Sequence, residues 1–144
     1  MYKTILMPTD GSECSQKAIQ QGLEVAKNLG ATVRFVYALE NPTSAMWISP
    51  ESLPYGMELL EDLKKVGQQA VDKAVQMAAE AGVGAEARLV EGRPVDVILE
   101  AAKDADLIVM GTHGRSGLDR FMLGSVTESV LHKASKPVLV MRSR

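Results

Sequence analysis

The chain has 144 residues, of which 46% are hydrophobic and 24% charged, and a formal net charge of −2. Length and balance suit one globular domain over residues 1–144 with a substantial core, and give no electrostatic case for a nucleic-acid partner. The lone Cys14 rules out a disulfide within the chain, and no apolar stretch is long enough to cross a bilayer, so no membrane association is expected.

Met1-Tyr2-Lys3 leads directly into a strand-like run rather than a signal peptide, which sets the expectation of a cytoplasmic protein. Residues 3–7 form a short apolar run closed by Pro8. A helical periodicity follows through Ala18, Ile19, Gly22, Leu23, Ala26 and Leu29, with Gly30 as its stop. Residues 31–39 are β-branched and aromatic, as a second strand requires. Residues 40–56 break the rhythm with Asn41-Pro42, Pro50 and Pro54, and read equally as a surface excursion or a contact loop carrying Trp47.

A longer helix then places Leu60, Leu63, Ala70, Ala74, Met77 and Ala81 on one face, ending at Gly82. Residues 85–90 carry a weaker strand signal. Pro94 opens a short helix with Val95, Ile98 and Ala102 inward. Residues 106–110 and 137–141 are continuous apolar runs suited to strands buried on both faces. Between them Ser125-Val126-Thr127-Glu128 opens a last helix in a capping-box pattern, continued by Val130, Leu131 and Ala134. Five strands alternating with four helices predict an α/β three-layer sandwich, a parallel sheet with helices on both faces, for which the order 3-2-1-4-5 is the expectation adopted.

In such a sheet ligands bind beyond the carboxyl ends of the strands where strand order reverses, here between strands one and four. The loops meeting there are Pro8-Thr9-Asp10-Gly11-Ser12 and Gly111-Thr112-His113-Gly114, nine residues, Gly124-Ser125. The second runs from a buried strand through glycines to a helix start, where backbone N–H groups and the dipole favour an anion; it reads as a phosphate cradle. Taken alone, Asp10-Gly11-Ser12 is equally a turn and helix cap, and Ser125 is equally a cap paired with Glu128. His113, Arg115 and Arg120 are candidate phosphate partners or solvated loop residues. No P-loop or dinucleotide glycine motif is present, and the spacing of His113 and His132 does not suit a zinc site.

With Ile5-Leu6-Met7-Pro8-Thr9-Asp10-Gly11-Ser12, the strand and glycine loop of residues 106–115, and Lys136-Pro137-Val138-Leu139-Val140-Met141, the chain resembles the universal stress protein family in its ATP-binding branch. The resemblance covers the whole length and implies a Rossmann-like, adenine nucleotide alpha hydrolase-like fold. It implies that Met110, Gly111, Thr112, His113, Gly114, Arg115, Ser116 and Gly117, with Gly124, Ser125, Val126 and Thr127, wrap ribose and phosphates. Pro8, Thr9 and Asp10 would border ribose and adenine, with Asp10 near Mg²⁺ or Mn²⁺ carried by the phosphates. The backbone of Ala38 would meet the adenine edge; the family commonly has valine there, so the adenine pocket is expected to be looser. Val138, Leu139 and Val140 would pair with a second copy in a homodimer.

The function this implies is a regulatory ATP-binding module whose nucleotide state controls an unidentified protein partner in stress response. No catalytic residue is assigned. The alternatives are a slow metal-dependent ATP hydrolase and a binding module for AMP or another adenine nucleotide. The hydrolase would need a water-positioning group, for which only Asp10 and His113 are available.

Overall fold

The computed structural model describes residues 1–42, 49–113 and 123–142. Strands β1 (Thr4–Pro8), β2 (Thr32–Leu39), β3 (Ala85–Glu91), β4 (Leu107–Gly111) and β5 (Val138–Met141) alternate with α1 (Glu13–Leu29), α2 (Leu53–Glu80), α3 (Pro94–Ala102) and α4 (Ser125–Lys133). The sheet is parallel throughout and ordered β3-β2-β1-β4-β5. The order predicted from sequence is thus the order found.

Right-handed crossovers explain the layers. The chain steps from β1 to β2 to β3 in one direction, then jumps to β4 and β5 in the other, so α1 and α2 cover one face and α3 and α4 the other. The central strands are apolar on both faces. Ile5, Met7, Val33, Phe35 and Val109 pack under α1 and α2, whereas Leu6, Val36, Ile108 and Met110 pack under α3 and α4. At 25 cal/mol per Å², each such buried side chain contributes about 1.5–3 kcal/mol relative to exposure.

Helix α1 is fixed at both ends. Ser12 caps it, its Oγ accepting from Ser15 N–H at 3.1 Å, and Gly30 ends it at φ 65°, a left-handed conformation glycine adopts without strain. In mid-helix, a Cβ on Gly22 would lie 2.7 Å from Met7 Cε and 3.0 Å from Val109 Cγ1. That glycine lets α1 sit directly on β1 and β4, which settles the position of the loop leading into it.

The start of α2 differs from expectation. The helix begins at Leu53, so only residues 40–52 separate it from β2. Pro54 was read as a loop residue, but it stands in the first helical turn, where its missing N–H costs nothing. With 28 residues α2 is about 42 Å long, against about 26 Å for the 8 residues of β2. Its first half therefore overhangs the strand ends, leaving Tyr55, Met57 and Leu59 exposed. Its packed face is centred on Gly67, Val71, Ala74 and Ala78, with Leu63 and Met77 at the margins. In α3, Val97 is buried rather than Val95, and Leu131 of α4 is exposed.

Asp106 ties the start of β4 to the start of β1. Its Oδ2 accepts from Lys3 N–H at 2.9 Å and Thr4 N–H at 3.0 Å. Those two donations, chiefly from Thr4, lower its pKa below the ordinary 3.8, with Lys136 and the N-terminal ammonium adding to the effect. Because the folded value is the depressed one, the stabilisation is present above pH 3.8 and is lost as pH falls through the folded pKa. Asp106→Asn is expected to flatten the acid limb of the stability profile below that pH while leaving the limb above neutrality unchanged, as acid titration followed by circular dichroism would read.

Candidate functional site

The strand-order reversal brings the β1–α1 and β4–α4 connections together, and a cavity of about 330 Å³ opens there. On the β1 side it is lined by Pro8, Thr9 and Asp10. The turn is rigid. Thr9 N–H donates to Val36 O at 2.9 Å, and Ser12 N–H donates to Asp10 Oδ1 at 2.9 Å. Gly11 takes φ 78°, donating its N–H to Thr9 Oγ1 at 3.2 Å. Thr9 Oγ1 also meets Ser15 Oγ at 3.2 Å, and Ser15 Oγ donates to Ser12 O at 3.0 Å, so both buried hydroxyls are hydrogen-bonded. Asp10-Gly11-Ser12 is therefore a turn and helix cap, and it simultaneously presents Asp10 to the cavity.

On the β4 side Met110, Gly111 and His113 line the same space, joined by Val126 and Thr127 from α4. Thr127 Oγ1 donates to Gly111 O at 2.8 Å within the core, locking the first turn of α4 to the end of β4. Gly111 is pressed against α1: a Cβ there would lie 3.3 Å from Cys14 Sγ. His113 Nδ1 and Thr112 Oγ1 lie 3.0 Å apart.

The expected capping box of Ser125 and Glu128 does not form among the described residues. Gly124, not Ser125, is the cap, extended at φ −63° and ψ 155°, and no side chain caps the helix among the described residues. Gly124 N–H donates to Thr112 O at 2.7 Å, and Glu128 N–H to Gly124 O at 2.9 Å. Ser125 is exposed in the first turn. Among the described residues, the N-terminal donors of α4 thus have no side-chain cap beside the cavity.

At the β2 end the cavity is bounded by Ala38 and by residues that were not among the sequence candidates: Tyr37, Leu39 and Glu40 from β2 and just after it, Leu63 from α2, and Pro94 and Ile98 from α3. Ser15 and Val36 also border it. Thr112, Gly124 and Ser125 adjoin the cavity's β4 side without lining it, while Gly114, Arg115, Ser116 and Gly117 lie outside the described residues, as do Arg120 and Trp47. Among the described lining residues the ionisable side chains are Asp10, Tyr37, Glu40 and His113, and no group of three or more His, Cys, Asp or Glu is placed to hold a metal ion.

Replacing Thr127 with valine keeps shape but removes the donor to Gly111 O. The expected cost is about 1–3 kcal/mol in urea denaturation, with looser seating of the α4 first turn and weaker ligand binding. Unchanged stability would show that the Gly111 carbonyl finds another donor.

An open parallel sheet with a cavity at its topological switch point defines an α/β ligand-binding fold. The universal stress protein family profile matches residues 1–142. A universal stress protein of Methanocaldococcus jannaschii is 42% identical over 99% of this chain and 83% of its own length. Among solved structures, the universal stress protein UspA of Lactobacillus plantarum superposes with a TM-score of 0.86, covering 98% of each chain at 27% identity. A universal stress protein in complex with cAMP superposes at 0.70, covering 99% of this chain and 98% of the other at 27% identity. The chain belongs to the universal stress protein family. No helix among its described residues is long and apolar enough to cross a membrane.

Proposed function

We propose that the cavity binds an adenine nucleotide, ATP foremost, and that nucleotide occupancy is the signal this protein passes to a partner in stress response. One observation carries the reading: a single cavity runs from an apolar end at β2 to the N-terminus of α4, which no described side chain caps. A nucleotide has the same polarity. Its base suits the apolar end at Ala38 and Leu39, its ribose suits Thr9 and Asp10, and its phosphates suit the helix N-terminus. The related structure that holds cAMP adds weight to adenine as the base.

Mg²⁺ or Mn²⁺ would be held by the nucleotide phosphates, with Asp10 as the nearby carboxylate. Asp10 is one carboxylate at the cavity, and a single carboxylate plus phosphate oxygens is the donor set such ions accept. The role of the ion is to offset phosphate charge. The chain's own residues hold base and ribose.

The protein pairs with a second copy along β5. The two sheet edges differ in character: β3 exposes Glu86, Arg88 and Glu91, charges that discourage strand addition, whereas β5 is the apolar Val138–Met141 with Leu139 exposed.

Isothermal titration of nucleotide-stripped protein with ATP, AMP, cAMP and GTP tests the reading. Saturable binding of one adenine nucleotide per chain, with GTP at least about tenfold weaker, is expected. Failure of every adenine nucleotide to bind at millimolar concentration would overturn it.

A further inference from the structure

The base end of the cavity has a wall that belongs to none of the three sequence motifs. Among the described lining residues Leu63 is the one supplied by α2. It lies on the overhanging half of that helix, one turn before Gly67, and residues four apart share a helix face. At Gly67 the helix rests directly on the sheet: a Cβ there would lie 2.7 Å from Leu89 Cδ1 and 2.8 Å from Tyr37 Cε1. A methyl group at that contact fits only if Leu89, the Tyr37 ring or α2 itself shifts. The close seat lowers the preceding turn over the end of β2, where Tyr37 borders the same cavity.

Strand order gives the wall its chemical meaning. β2 and β4 are separated by β1, so Leu63 stands at the end of the cavity remote from Gly111 and the N-terminus of α4. Resting on the nucleotide reading above, with phosphates at α4 and ribose over β1, the outer edge of the base meets Leu63. On adenine that edge, opposite the glycosidic bond, carries the N6 amine.

We propose that Leu63 is a specificity-determining residue that limits the size of the base edge the site admits, and that Gly67 positions it by seating α2 on Tyr37. A small amine fits beneath the isobutyl group, whereas a bulky N6 substituent meets it.

The test compares AMP with N6-benzyl-AMP on the full chain by isothermal titration. Wild-type protein is expected to prefer AMP. Leu63→Ala is expected to cut that preference at least about tenfold, through tighter binding of the benzyl analogue, a change of the size that a few methylenes in a pocket produce. Leu63 is partly buried and belongs to neither core cluster among the described residues, so the truncated variant retains its core. Gly67→Ala is expected to lower the same preference by displacing α2, with its melting curve recorded alongside. Leu63→Trp keeps the proposal testable from the other direction, weakening AMP by about tenfold or more by filling the space. If wild type and Leu63→Ala bind AMP with the same preference over the analogue, the role of Leu63 is refuted while the nucleotide reading stands. If wild type binds neither AMP nor ATP, both fall together.

Discussion

Ala38→Phe is expected to weaken adenine-nucleotide binding by at least about 100-fold, equivalent to roughly 2.7 kcal/mol, with little change in thermal stability. Ala38 lies near the carboxyl end of β2 on the face shared with Val36, bordering the cavity opposite Pro94 and Ile98. It is only partly buried, so an added ring goes into the cavity rather than into the packed sheet. The space it takes is that assigned to the base. The backbone pairing of Ala38 with Val90 is unaffected by the side chain. Isothermal titration and a thermal melt on the same preparation separate blocked binding from misfolding. Binding at wild-type affinity would move the base away from β2.

Phe35→Ala is expected to destabilise the fold by about 3–5 kcal/mol, the usual cost of truncating a fully buried aromatic ring. Phe35 is 0% exposed and the largest of the wholly buried side chains. It packs with Ile5, Val33, Ala74 and Val109 in the layer between the sheet and helices α1 and α2. That layer is dense enough that Gly22 and Gly67 admit no methyl group without displacing neighbours, so collapse around the void is restricted. For a domain of this size the loss corresponds to a fall of about 6–20 °C in Tm. Urea denaturation followed by far-ultraviolet circular dichroism gives the value. A loss below about 1 kcal/mol would mean that the core relaxes into the space.

The sheet was legible in the sequence because its central strands are buried on both faces. Residues 5–7 and 107–110 are apolar without interruption, as suits a parallel strand covered by helices on both faces. The two loops at the strand-order reversal were legible because Gly11 and the glycines after β4 are chemically distinctive. The apolar wall was not. Leu63, Tyr37 and Ile98 resemble core residues in any periodicity argument, and only topology shows that they face a cavity. The start of α2 was misplaced because Pro54 ends helices in their interior yet suits their first turn, and sequence alone does not say which applies. The cap of α4 was misplaced by one residue because Ser125 and Glu128 have capping-box spacing, while Gly124 adopts the extended cap conformation and donates to Thr112 O.

Amide chemical-shift mapping of the isotope-labelled protein during titration with ATP tests the assignment of the site most directly. Saturable shifts are expected at Asp10, Ala38 and Gly111 and in the first turn of α4, at the carboxyl ends of β1, β2 and β4. Absence of shifts at millimolar ATP, or shifts confined to the opposite end of the sheet around Thr32 and Glu86, would contradict it.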